Sequence, residues 1–160
     1  MAKELKTNAM RILDKQKIPY VINTYECEEF VDAVAVADML GQPYESSFKT
    51  LVAAGKSGGH FVFVVPIAEE LDLKAAARAV GEKAVELIHV KELFPLTGYI
   101  RGGCTPIGMK KAFPTVIHQS AADFDTVIIS GGRIGAQIFL APADLVRVTR
   151  GKLADIIFHK

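Results

Sequence analysis

The chain has 160 residues, half of them apolar and 23% charged, with a formal net charge of +1. That balance fits one globular domain with a full hydrophobic core over residues 1–160, and its small basic excess does not suggest a high-affinity, sequence-independent binder of nucleic acid. The longest apolar run, 61–68, is broken by Pro66 and is too short to cross a bilayer, and Met1-Ala2-Lys3-Glu4-Leu5-Lys6 lacks the apolar stretch of a secretory leader, so the expected location is the cytosol and no membrane partner is expected.

Thr7 or Asn8 caps a first helix that runs to about Lys17, with Met10, Leu13 and Ile18 on one stripe and Pro19 beyond it. Residues 20–25 are β-branched and aromatic and predict a strand. A second helix, 31–40, is closed by Gly41 and Pro43. Residues 47–54 and 60–66 form two strands around Gly55-Lys56-Ser57-Gly58-Gly59, a hairpin expected at the centre of a sheet. Asp72 caps a helix over 73–80 that Gly81 ends, and a short helix over 90–94 stops at Pro95. Strands follow at 115–118, 126–130 and 137–140, then a helix opened by Pro142-Ala143-Asp144 and a last strand near 154–158. The fold class is α/β of mixed, α+β-like type: a central, largely antiparallel mixed sheet flanked by helices.

Chemistry concentrates in a few polar groups. Residues 98–111, Gly98-Tyr99-Ile100-Arg101-Gly102-Gly103-Cys104-Thr105-Pro106-Ile107-Gly108-Met109-Lys110-Lys111, combine four glycines, a thiol and three cations. Glycines there let a ligand approach backbone N–H groups. Charge is uneven around this loop: residues 1–73 carry seven Lys/Arg against eleven Asp/Glu, whereas residues 74–111 carry seven against three. A solvated helix face bearing Lys74, Arg78 and Lys83 accounts for much of that excess, and a polyanionic ligand would use the same patch. Lys49, in a strand whose neighbours are core-like, is either an anion-binding point charge or an edge lysine that discourages aggregation. Ser130-Gly131-Gly132-Arg133-Ile134-Gly135 follows an apolar strand but leads into another strand, so it is read as a turn between antiparallel strands rather than a dinucleotide fingerprint, with Ser130 and the loop amides as candidate donors to a cleft. The four histidines are scattered, no metal-ligand spacing occurs, and no metal or cofactor is expected. Cys27 and Cys104 are expected as thiols; Cys104 tempts as a nucleophile with Arg101 beside it, yet a small residue in a tight loop is the simpler role.

Three segments in order, Phe48-Lys49-Thr50-Leu51, Gly98 to Gly108 and Ser130-Gly131-Gly132-Arg133-Ile134-Gly135-Ala136-Gln137, resemble the signatures of the YbaK-type aminoacyl-tRNA deacylases, relatives of the editing domain inserted in bacterial prolyl-tRNA synthetases. The Arg-Gly-Gly-Cys-Thr-Pro-Ile-Gly-Met-Lys-Lys version looks most like the branch that hydrolyses Cys-tRNA(Pro). The resemblance implies a free-standing trans-editing hydrolase without metal or enzyme nucleophile. Its essential lysine corresponds to Lys49, and Gly102 and Gly103 supply backbone N–H groups to the substrate carbonyl. Thr50, Ser130, Gly131 and Arg101 are substrate contacts on this reading, and Tyr20 and Phe30 are cleft walls. The implied partners are mischarged tRNA(Pro) and, given the modest basicity, a prolyl-tRNA synthetase. A non-catalytic tRNA or aminoacyl-ligand binding module, a deacylase for another small amino acid such as alanine, and a Cys104-dependent hydrolase or redox enzyme remain as alternatives.

Overall fold

The computed structural model describes residues 6–27 and 31–159. Thr7 caps α1 (Asn8–Lys15), its Oγ1 accepting from the Met10 N–H at 3.3 Å and so satisfying one of the orphan donors of the first turn. The helix stops two residues before the expected Lys17. Lys17 instead takes φ 58° and the Ile18 N–H donates back to the Leu13 carbonyl at 2.9 Å, a left-handed turn that folds Ile18 onto the core beside Leu13. After β1 (Val21–Thr24), α2 (Ala33–Leu40) starts later than expected because Asp32 is its cap, accepting from the Ala35 N–H at 2.9 Å.

The hairpin β2 (Phe48–Gly55) and β3 (His60–Pro66) forms as expected, and α3 (Leu73–Val80) runs from its Asp72 cap to Gly81. A short strand that the sequence reading did not mark, β4 (Val85–Leu87), comes next. α4 (Val90–Thr97) continues through Pro95 rather than stopping there: the proline falls in the second turn, so one intrahelical hydrogen bond is lost, and Gly98 in the left-handed region ends the helix with its N–H on Phe94 O at 2.8 Å. The chain closes with β5 (Thr115–His118), a 3-10 turn (Gln119–Asp123), β6 (Val127–Ser130), β7 (Ala136–Leu140), α5 (Pro142–Thr149) and β8 (Lys152–Ala154). The last strand falls short of 158 because the chain turns away from β5. The Ile156 carbonyl accepts from the Asp72 N–H at 2.8 Å, Ile156 N–H donates to His118 Nδ1 at 3.2 Å, and Ile157 bridges to Leu71.

Strands are mixed and mostly antiparallel, as expected, but they divide into two sheets, β1-β7-β6 and β4-β2-β3-β5-β8, the latter with parallel β3–β5 and β5–β8 pairs. The sheets meet at a seam, where Ser47 bridges Ile128 in parallel and the Ile128 N–H donates to the Ser46 carbonyl at 2.9 Å. Strand alternation gives the larger sheet two buried faces. Val62, Val64 and Ile117 join Met10, Leu13 and Leu145 on one side, while Phe61, Phe63, Val65 and Val116 pack with Ala76 and Ala77 of α3 on the other. β2 pairs with β4 only from Ala53 to Gly55, and its other half runs open-edged toward the seam.

Candidate active site

A cavity of about 540 Å³ lies along that open edge. Its walls come from α2, from β2, from the turn between β4 and α4, from the glycine loop at Arg101, Gly102 and Cys104, and from Ile128 to Ser130 of β6. Because the cavity sits at a strand edge, residues from both faces of β2 line it. Thr50 shares the Phe48 and Val52 face, Lys49 shares the Leu51 face, and all five line the same space. The sequence separates Lys49, Gly102 and Ser130 by up to 81 positions, and the seam brings them together.

Lys49 is half-buried, and its pKa is held below the usual lysine value chiefly by loss of water, with Glu70 and Glu69 pulling the other way. A cation in that state gains from meeting an anion. Thr50 Oγ1 is buried without a hydrogen-bond partner, so the strand offers an unsatisfied hydroxyl on the face opposite Lys49. Gly102 is exposed at φ +88°, a conformation that side chains resist.

Its neighbour takes a different part from the expected one. The Gly103 N–H donates to the Ile100 carbonyl at 2.9 Å, and the residue is buried where an added Cβ would stand 2.8 Å from Arg133 Cα. Gly103 therefore lets the two glycine loops touch, and Gly102 is the one that lines the cavity. Gly131 is likewise a packing glycine: its N–H donates to Ala136 O at 2.8 Å, its carbonyl accepts from Thr7 Oγ1 at 2.6 Å, and it does not line the cavity. Ser130, one residue earlier, does.

Cys104 lies on the wall at 8% exposure, its thiol pushed up to about 12 by burial, with the Thr97 hydroxyl opposing. A thiol in that state is protonated at neutral pH and is not an activated nucleophile. Arg101 is exposed at the rim. Tyr20 is elsewhere: its hydroxyl donates to Asp14 Oδ1 at 2.8 Å against α1, and it packs on the core rather than the cavity. The aromatic wall is Tyr25, which the sequence reading passed over; burial raises its phenol pKa, with a backbone hydrogen bond at Gly135 opposing. Phe30 lies outside the described residues. Also missed was a reciprocal amide pair on the wall, with Gln42 Nε2 donating to Gln137 Oε1 at 2.8 Å and Gln137 Nε2 to Gln42 Oε1 at 2.9 Å, while Asn23 Nδ2 adds a third bond at 3.1 Å. The alternation of β1 puts Asn23 and Tyr25 on one side, the signal that could have found both. Among the described residues no group of three His, Cys, Asp or Glu is placed to hold a metal ion.

Fold and cavity together define a mixed α/β domain whose candidate site is lined by a half-buried lysine, hydroxyls and a glycine loop. The aminoacyl-tRNA editing domain matches residues 27–148, and the chain belongs to that family. A relative from Enterococcus faecalis (strain ATCC 700802 / V583), EbsC, described as a candidate Cys-tRNA(Pro)/Cys-tRNA(Cys) deacylase, is 47% identical over 154 residues, covering 94% of this chain and 93% of its own. A solved structure described as a candidate trans-editing enzyme for prolyl-tRNA synthetase superposes with a TM-score of 0.80 at 25% identity, covering 98% of this chain and 100% of the other. Another, of a hypothetical protein, reaches 0.86 at 22% identity over 94% of this chain and 99% of its own, and shares the fold.

Proposed function

We propose that the protein is a trans-editing deacylase that hydrolyses the aminoacyl ester of Cys-tRNA(Pro). The observation that carries this reading is the meeting of Lys49, Thr50, Gly102 and Ser130 in one cavity whose wall thiol is protonated. Family membership and the relative's name support the substrate class. Lys49 binds the terminal adenosine or its phosphate, and Thr50 and Ser130 add hydroxyl contacts. The Gly102 N–H faces the ester carbonyl and its developing oxyanion, a contact that gains strength as charge forms in a partly dry site. Arg101 is the accessory cation at the rim.

The nucleophile belongs to the substrate. Its cysteine Sγ attacks its own carbonyl carbon, the C–O bond to the ribose breaks, and the thiol proton passes to the departing ribose oxygen. tRNA leaves, and water opens the resulting four-membered thiolactone to free cysteine. Positioning alone supplies much of the rate, since effective molarities of well-oriented intramolecular attack reach about 10⁵ M or more. An alanyl ester has no such thiol and must wait for water. The reaction takes place in the cytosol, where charged tRNA is found, with a prolyl-tRNA synthetase supplying the tRNA identity that the small cavity does not read.

Release of amino acid from Cys-tRNA(Pro), Ala-tRNA(Pro) and Pro-tRNA(Pro) tests the proposal. Cysteine should be released fastest and proline spared; equal rates on cysteinyl and alanyl esters would contradict the substrate-thiol step, and no release from any would favour a binding module.

A further inference from the structure

The rim of the cavity carries a feature that the ester chemistry does not use. Val90, at the first turn of α4, lines the cavity, and Phe94 stands one helical turn further out at 55% exposure. Lys110 Nζ sits 5.4 Å from the Phe94 ring centroid and donates to the Pro95 carbonyl at 3.3 Å, which fixes a cation on the ring while leaving it open to solvent. Lys91 is exposed on the same helix, one turn from Phe94, and exposed Arg101 lies on the cavity rim. Of the nearby acids, Glu92 is engaged with the His89 N–H at 2.8 Å, and Glu86 is exposed on β4. Three of the segment's seven cations, Lys91, Arg101 and Lys110, are therefore displayed around an exposed aromatic at the mouth of the site.

We infer that Phe94 with Lys110 and Lys91 is a docking platform for the single-stranded 3′ end of the tRNA, with a base stacked on the Phe94 ring and the phosphates on the two lysines. Aromatic faces accept any base and fixed cations follow the backbone, the combination that single-strand binders use. The inference rests on the deacylase reading and names the surface that leads the substrate into its cavity. A protein partner would also use an exposed apolar side chain, but two lysines flanking the ring complement a phosphate chain.

The test compares Phe94→Ala, Phe94→Trp and Lys110→Gln on full Cys-tRNA(Pro) and on the cysteinyl ester of adenosine alone. Loss of one stacked base should raise KM for the tRNA roughly tenfold in Phe94→Ala, with kcat unchanged and Phe94→Trp close to the parent. Lys110→Gln should flatten the salt dependence of tRNA binding. All three variants should hydrolyse the adenosine ester like the parent. A Phe94→Ala enzyme with unaltered KM for the tRNA overturns the inference, as does a defect seen only when a synthetase is present. Binding of an uncharged RNA oligonucleotide ending in CCA, measured by fluorescence anisotropy, judges the platform apart from catalysis: weakening in Phe94→Ala supports it even if the parent cleaves neither ester, and unchanged binding overturns it.

Discussion

Burial makes Lys49 costly to the fold. Loss of water dominates its surroundings, so its charged form is less favourable in the fold than in solvent, and Glu69 and Glu70 offset this only in part. A lysine whose folded pKa lies below its unfolded 10.5 weakens the fold below the folded value, and that penalty disappears as pH rises through the folded value to 10.5. Lys49→Met should therefore raise the melting temperature at pH 7 while abolishing deacylation, and its advantage should shrink toward pH 10.5 in a series of thermal melts. Cys104 makes the opposite statement. With its thiol pushed up to about 12 by burial, iodoacetamide should react with it much more slowly than with a free thiol at the same pH. Cys104→Ser should keep substantial activity; complete loss in a folded variant would restore the thiol as nucleophile.

At the scale of elements, caps and alternation made much of the fold legible. Asp72 and Gly81 bound α3 as the sequence suggests, and the β2–β3 hairpin follows from its glycine turn. What was not legible depends on partners distant in sequence. β4 is three residues long with two of them exposed, too short for any period to show, and it exists because Ala53 to Gly55 offer it an edge. The same cause separates Gly102 from Gly103: adjacent and chemically identical, they differ in that Gly103 is buried against the Arg133 backbone while Gly102 is exposed. Gly103→Ala should cost about 1–3 kcal/mol in urea unfolding, since its Cβ meets backbone that cannot swing aside.

The joint between β5 and the chain after β8 has its own pH response. His118 is buried, with Nδ1 accepting from the Ile156 N–H, and burial lowers its pKa despite Asp155 at 3.8 Å, which together with Glu69 raises it, while His159 adds to the lowering. The stability it contributes is present above its unfolded 6.5 and is lost as pH falls through the folded value. Thermal melts should show a decline below pH 6.5 that is smaller in His118→Asn, whose Oδ1 can still accept from Ile156. An equal decline in both would place the acid sensitivity elsewhere.

Across the whole molecule, the cavity is a product of topology. Neither glycine cluster nor the Lys49 strand is a cavity by itself; two sheets joined at Ser47 and Ile128 leave half of one edge of β2 without a partner strand, and the signature segments meet along that edge. Motif order in the sequence pointed to Lys49, Thr50, Gly102, Ser130 and Arg101, all of which line the cavity, but it could not tell wall from scaffold. Tyr20 and Tyr25 are both aromatic and both flank β1, and only packing against α1 assigns the first to the core periphery and leaves the second lining the cavity. Among the described residues no helix is long and apolar enough to cross a membrane.

The central claim is that this cavity cleaves a cysteinyl ester through Lys49 and without a protein nucleophile. The most direct measurement is the rate of cysteine release from Cys-tRNA(Pro) by the parent protein, Lys49→Ala and Cys104→Ser, with circular dichroism to verify folding. The account predicts release by the parent and by Cys104→Ser, and none by a folded Lys49→Ala. Full activity in Lys49→Ala would contradict it.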